Sequence, residues 1–118
     1  MDKTVLIDTN LYLDDPNIIF KLNTEYEKII VPITVLKELD KHKFNKDLSY
    51  SARNAINSIL KFKQEYSDCI LFDTTKYEEE ENDDKIVASA MNHGATVATK
   101  DVSMSLIAES QGLGTILS

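Results

Sequence analysis

Five apolar runs of strand length recur along the chain with helix-type patterning between them, and this alternation limits the fold more than any other feature. The runs are TVLI (4–7), KIIVP (28–32), CILF (69–72), ATVAT (95–99) and TIL (115–117). Parallel neighbours cannot be joined by a tight turn and need a crossover, usually a helix, so the alternation predicts βαβ units and a mainly parallel sheet. Runs with so few polar positions suit strands covered on both faces. The expected architecture is an α/β fold, a three-layer α/β/α sandwich around a sheet of four to five strands, in a single domain over residues 1–118.

The helices between these runs carry their own signals. The first is expected to start near Asp14–Pro16, where an acidic cap precedes proline, and the second to run from about Ile33 to Lys43. The third, SYSARNAINSILKFKQEY (49–66), places Ala52, Ala55, Ile56, Ile59 and Leu60 on one face. A fourth opens at Asn82 and stops at Gly94, and a fifth is capped by Ser103 and ends before Gly112.

Composition narrows the classes. With 42% hydrophobic residues, 3 Gly and 2 Pro, the chain reads as folded rather than disordered. The single Cys69 excludes an internal disulfide and is assigned to the core; His42 and His93 lack zinc-site spacing. No apolar stretch has the length of a signal peptide or membrane span, which points to the cytoplasm and to no membrane partner. The net charge of −7 is unevenly spread. EEEENDD (78–84) is acidic, whereas Lys37 to Lys63 holds seven of the 13 basic residues against three acids, so a polyanionic partner stays open. Lys41, Lys43, Lys46 and Arg53 are the candidates for backbone-phosphate contact, and Phe44 is read as a loop anchor, with base stacking as its alternative.

VLIDTN (5–10) ends an apolar strand on Asp8, and open α/β sheets place their chemistry outside the carboxyl ends of their strands. Asp101 follows the fourth strand, Asp83 sits in the first turn of the fourth helix, and Glu38 can reach the same rim from the second. Like charges gathered together call for cations, and carboxylate oxygens are hard ligands suited to Mg²⁺ or Mn²⁺, one ion or two. Such sites recur in phosphodiester hydrolysis.

Taken together, VLIDTN, IIVPITVLKELDK, NDDKIVASAMNHGATVATKD and SLIAESQGL resemble the PIN domain family of nucleases, with the PhoH-type subgroup nearest through DTNLYLDDPNIIFKL and VPITVLKELDKHK. The resemblance implies that Asp8, Glu38, Asp83 and Asp101 are the metal-binding, catalytic acids, with Asp84 a second choice for the third. It implies that Thr9 and Asn10 support the first Asp, and that Thr99 lies near the metal-bound phosphate. The ATPase that usually accompanies the PhoH-type domain has no phosphate-loop motif in these residues, so the chain is read as a stand-alone protein or an excised domain.

The expected function is metal-dependent endoribonuclease. Metal-activated water would hydrolyse single-stranded or flexible RNA to 5′-phosphate and 3′-hydroxyl ends. The alternatives are a toxin-type ribonuclease with a protein inhibitor, a structure-specific DNA nuclease and a non-catalytic scaffold module. A homodimer is left open.

Overall fold

The computed structural model describes residues 3–117. Its five strands are β1 (Thr4–Ile7), β2 (Lys28–Pro32), β3 (Ile70–Asp73), β4 (Thr96–Thr99) and β5 (Thr115–Leu117). They form one sheet in the order β3-β2-β1-β4-β5, and every pairing is parallel. The central runs TVLI, KIIVP and TVAT are buried almost throughout, whereas the edge strands β3 and β5 are partly open. This is the expected α/β architecture, its apolar strands covered by helices on both faces.

Six helices connect the strands: α1 (Thr9–Asp14), α2 (Ile18–Leu22), α3 (Ile33–His42), α4 (Ser49–Glu65), α5 (Asn82–His93) and α6 (Val102–Ser110). One core joins them to the sheet, built around Leu6, Ile7, Tyr12, Ile30, Leu39, Phe62, Ile86 and Met104. Among the described residues no helix is long and apolar enough to cross a membrane.

Several boundaries differ from the sequence reading, each for a local reason. The first helix does not start near Asp14–Pro16. The chain enters α1 directly after Asp8 and leaves it at Asp15, which is extended at φ −142° and ψ 91° because the ring of Pro16 disfavours a helical residue before it. On α4 the buried face uses Phe62 in place of Leu60, which is 50% exposed. Helix α6 begins one residue early, capped by the side chain of Asp101 rather than by Ser103. Strand β3 lies one residue later than CILF, with the half-buried Cys69 in a 3₁₀ turn (Ser67–Cys69) packed against the core. That shift makes Asp73 a strand-end carboxylate, like Asp8. The C-terminus of α5 is as expected: Gly94 adopts φ 60°, a left-handed conformation open to glycine, and Ala95 N–H closes the turn on the Ala90 carbonyl at 2.9 Å.

Candidate functional site

The strand order reverses between β1 and β4, and open α/β sheets bind their ligands outside the strand carboxyl ends at such a switch point. Asp8 sits at the end of β1 and Thr99 at the end of β4. The Thr99 hydroxyl donates to Asp8 Oδ2 at 2.8 Å, while Thr9 N–H donates to Asp8 Oδ1 at 2.8 Å and so caps α1. Thr99 Oγ1 in turn accepts from the Asp101 N–H at 3.0 Å, which fixes the turn after β4. Asp101 uses Oδ1 to accept from Ser103 and Met104 N–H at 2.9 and 3.3 Å, capping α6.

Glu38 comes from α3, and Leu39 beside it is fully buried, so core packing fixes that helix against the sheet. Its Oε1 accepts from the Thr9 hydroxyl at 2.6 Å and its Oε2 from Asn82 Nδ2 at 3.4 Å. Thr9 therefore ties two acids together, by its amide to Asp8 and by its hydroxyl to Glu38. Asn82 was missed by the sequence reading, which saw it only as a helix start. It links Glu38 to the first turn of α5, where Asp83 and Asp84 lie exposed. Asn10 is exposed and makes no side-chain hydrogen bond among the described residues, so the support of Asp8 comes from Thr9 and Thr99 instead.

The electrostatics reveal which acids feel one another. Burial pushes the Asp8 carboxyl up to about 6, against the hydrogen bonds from Thr99 and Thr9, and the negative charges of Asp83 and Glu38 add to the rise. Asp83 is raised by desolvation and by the charges of Asp101, Glu38, Asp84 and Glu81. No Lys or Arg pairs with Asp8, Glu38, Asp83 or Asp101 among the described residues. As the side chains stand, no three His, Cys, Asp or Glu among the described residues gather tightly enough to hold a metal ion. The donor set nonetheless fits a hard divalent cation: carboxylates from four segments of the chain share one rim, repel one another and lack a counter-charge.

The basic candidates separate. Lys41 is exposed and lines the clefts beside Glu38. Lys43 is paired with Asp40 at 2.7 Å, lies over the Phe44 ring and lines neither cleft. Lys46 and Arg53 are exposed but line neither cleft, and Arg53 Nε donates to Ser49 Oγ at 3.3 Å. Phe44 is 78% exposed and anchors nothing in the core, which overturns its reading as a loop anchor.

A second buried carboxylate, Asp73, escaped the sequence reading. It accepts from Ser89 Oγ at 2.6 Å, the Tyr77 hydroxyl at 2.5 Å and Thr75 N–H at 3.0 Å, with His93 Nε2 at 3.3 Å. Burial alone would raise its carboxyl, but these donors outweigh burial and hold it well below the usual carboxylate range. No local signal marked it, because its partners come from a loop and from the inner face of α5.

A sequence profile described as the PIN domain matches residues 5–116. Among solved structures, a domain of a functionally unknown protein from Methanocaldococcus jannaschii DSM 2661 superposes with a TM-score of 0.78 at 17% identity, covering 98% of this chain and 91% of that one. The PIN domain of human SMG5 superposes with a TM-score of 0.68 at 17% identity, over 95% of this chain and 90% of that one. At such identities the likeness is one of fold. No curated protein sequence matches the chain.

Proposed function

The chain belongs to the PIN domain family, generally nucleases that typically use divalent metal ions, and from that premise we propose that it is a metal-dependent endoribonuclease acting on single-stranded or flexible RNA. The observation that carries the reading is the Asp8–Thr99 bond across the β1/β4 switch point, with further acids around it that lack a counter-charge.

In this reading Asp8, Glu38, Asp83 and Asp101 hold one or two Mg²⁺ or Mn²⁺ ions, and Asp84 adds negative charge behind Asp83. A divalent ion bound there would lower the pKa of water and offset charge on the phosphate. The protein's own part is positioning. Thr9 fixes Asp8 by its amide and Glu38 by its hydroxyl, while Thr99 sets the direction of Asp8 Oδ2 and the turn that presents Asp101. Asp101 Oδ1 caps α6, and its Oδ2 has no hydrogen-bond partner among the described residues. No side-chain nucleophile is required, and hydrolysis leaves 5′-phosphate and 3′-hydroxyl ends. A narrower placement in the PhoH-type subgroup rests on the runs DTNLYLDDPNIIFKL and VPITVLKELDKHK alone, and neither the family match nor the structural likenesses support it.

The test is to incubate purified protein with end-labelled RNA and DNA in Mn²⁺, Mg²⁺ or EDTA. Cleavage of RNA in metal and none in EDTA is expected. Asp8→Asn should keep the fold and lower the rate at least tenfold, about 1.4 kcal/mol in the barrier. Wild-type rates in both Asp8→Asn and Asp101→Asn would remove these acids from the chemistry.

A further inference from the structure

Beside the acids, a cleft of about 430 Å³ runs between α3 and the segment leading into α5, and its walls carry Lys37, Lys41, Lys76 and Lys85. Lys37 and Lys41 are one helical turn apart and share a face of α3, with Glu38 next to them at the cleft's inner edge. Lys76 and Lys85 approach from the opposite wall, so four cations from two distant parts of the chain line one cavity. None of the four makes an ion pair among the described residues, in a chain with 20 acids against 13 bases. Glu38 is the one acid among the cleft-lining residues, so the ammonium groups outnumber it four to one and the cleft favours an anion. The cleft also ends at Glu38 and Asn82, the two residues that bond to each other at the candidate catalytic rim.

The wall holding Lys76 is anchored. Asp73 accepts from the Thr75 N–H and from the Tyr77 hydroxyl, which flank Lys76 on either side, and Thr75 and Tyr77 line the cleft with it. On the other side of Glu38 and Asn82 an adjoining cleft of about 400 Å³ is bordered by the exposed ring of Phe44, and Lys41 lies in both.

We propose that the lysine-lined cleft seats the sugar–phosphate backbone of the single-stranded RNA next to the acids, with the strand continuing over Glu38 and Asn82 toward the Phe44 ring. The proposal rests on the nuclease reading, and it replaces Lys43, Lys46 and Arg53 with Lys37, Lys76 and Lys85 as the phosphate contacts. Each lysine contact releases condensed counterions without reading sequence, and an exposed aromatic ring stacks on any base.

Binding of a short fluorescein-labelled oligouridine, followed by anisotropy in EDTA over a range of salt, tests the seat apart from catalysis. Lys76→Ala combined with Lys85→Ala should flatten the log-affinity against log-salt slope by about 1.4. Lys3→Ala combined with Lys28→Ala removes the same charge at the amino ends of β1 and β2, away from the strand carboxyl ends that carry the acids, and should leave the slope as in wild type. Phe44→Ala should weaken binding with the slope retained, and Phe44→Trp should restore it. An unchanged slope in the Lys76/Lys85 variant, or an equal fall in the Lys3/Lys28 variant, would overturn the seat. Failure of the nuclease reading looks different: wild-type protein would leave RNA intact in Mn²⁺ while the Lys76/Lys85 variant still lost slope, and that result would uphold the seat.

Discussion

Asp8 and Asp73 stand at the carboxyl ends of parallel strands in the same sheet, and both are almost wholly buried, at 3% and 4% exposure. They titrate in opposite directions. Asp8 is pushed up to about 6 by burial, with acidic neighbours adding to the rise, whereas Asp73 is held well below the ordinary range because hydrogen-bond donors outweigh burial. The difference lies in who completes the carboxylate. Ser89, Tyr77 and Thr75 surround Asp73 with donors from the protein itself, so its charge is satisfied in place. Asp8 has two donors and faces other acids, so its remaining demand is for positive charge from outside. Burial and strand position do not decide which way an aspartate shifts; the neighbours do.

The contrast can be broken most directly at Asp73. Asp73→Ala strands several buried donors at once and should cost about 3 kcal/mol in urea denaturation, with or without Mn²⁺. A loss under about 1 kcal/mol would mean that the donors are satisfied elsewhere. Asp8→Asn should do the reverse in EDTA. A carboxyl whose folded pKa is raised from 3.8 to about 6 contributes its full stability below the lower value and loses it as pH rises through the upper. The wild type should therefore fall behind Asp8→Asn progressively between pH 4 and pH 7, by up to about 3 kcal/mol at neutrality. Mn²⁺ should raise the melting temperature of the wild type more than that of the variant, by linkage. An Asp8→Asn protein that is less stable than wild type at pH 7 in EDTA would erase the distinction.

The smallest expected effect calibrates burial without charge. Tyr12 is fully buried in α1, and its hydroxyl has no hydrogen-bond partner among the described residues. Tyr12→Phe removes an unsatisfied group and should stabilise the fold by about 1 kcal/mol, independently of pH near neutrality and of Mn²⁺. A destabilised Tyr12→Phe would show that a bound water completes the hydroxyl.

The same contrast explains what the sequence made legible. Asp8 and Asp101 were visible because each follows an apolar run, where strand ends can be read from hydropathy alone. Glu38 needed more, since one helix residue among Lys37, Glu38 and Leu39 points to the rim only once core packing of Leu39 sets the helix rotation. The Asp73 cluster left no pattern, because CILF reads as a strand ending at Phe72 and the partners Tyr77, Ser89 and His93 belong to other segments. The lysine cleft was hidden for a similar reason: Lys37 and Lys85 meet only after the sheet is built. Pro16 misled the placement of the first helix, since a proline that can open a helix can equally separate two short ones.

The Asp8–Thr99 bond joins residues 91 positions apart, whereas Asp73 and Ser89 are separated by 16. Closing the longer separation costs more chain entropy, and pairing of β1 with β4 must wait until residues 96–99 are present. Made from its N-terminus, the polypeptide can gather the Asp73 network once α5 has emerged, while Asp8 still lacks its threonine and Asp101 does not yet exist. An unfinished chain thus carries Asp8, Glu38 and Asp83 without the strand that brings Thr99 to Asp8.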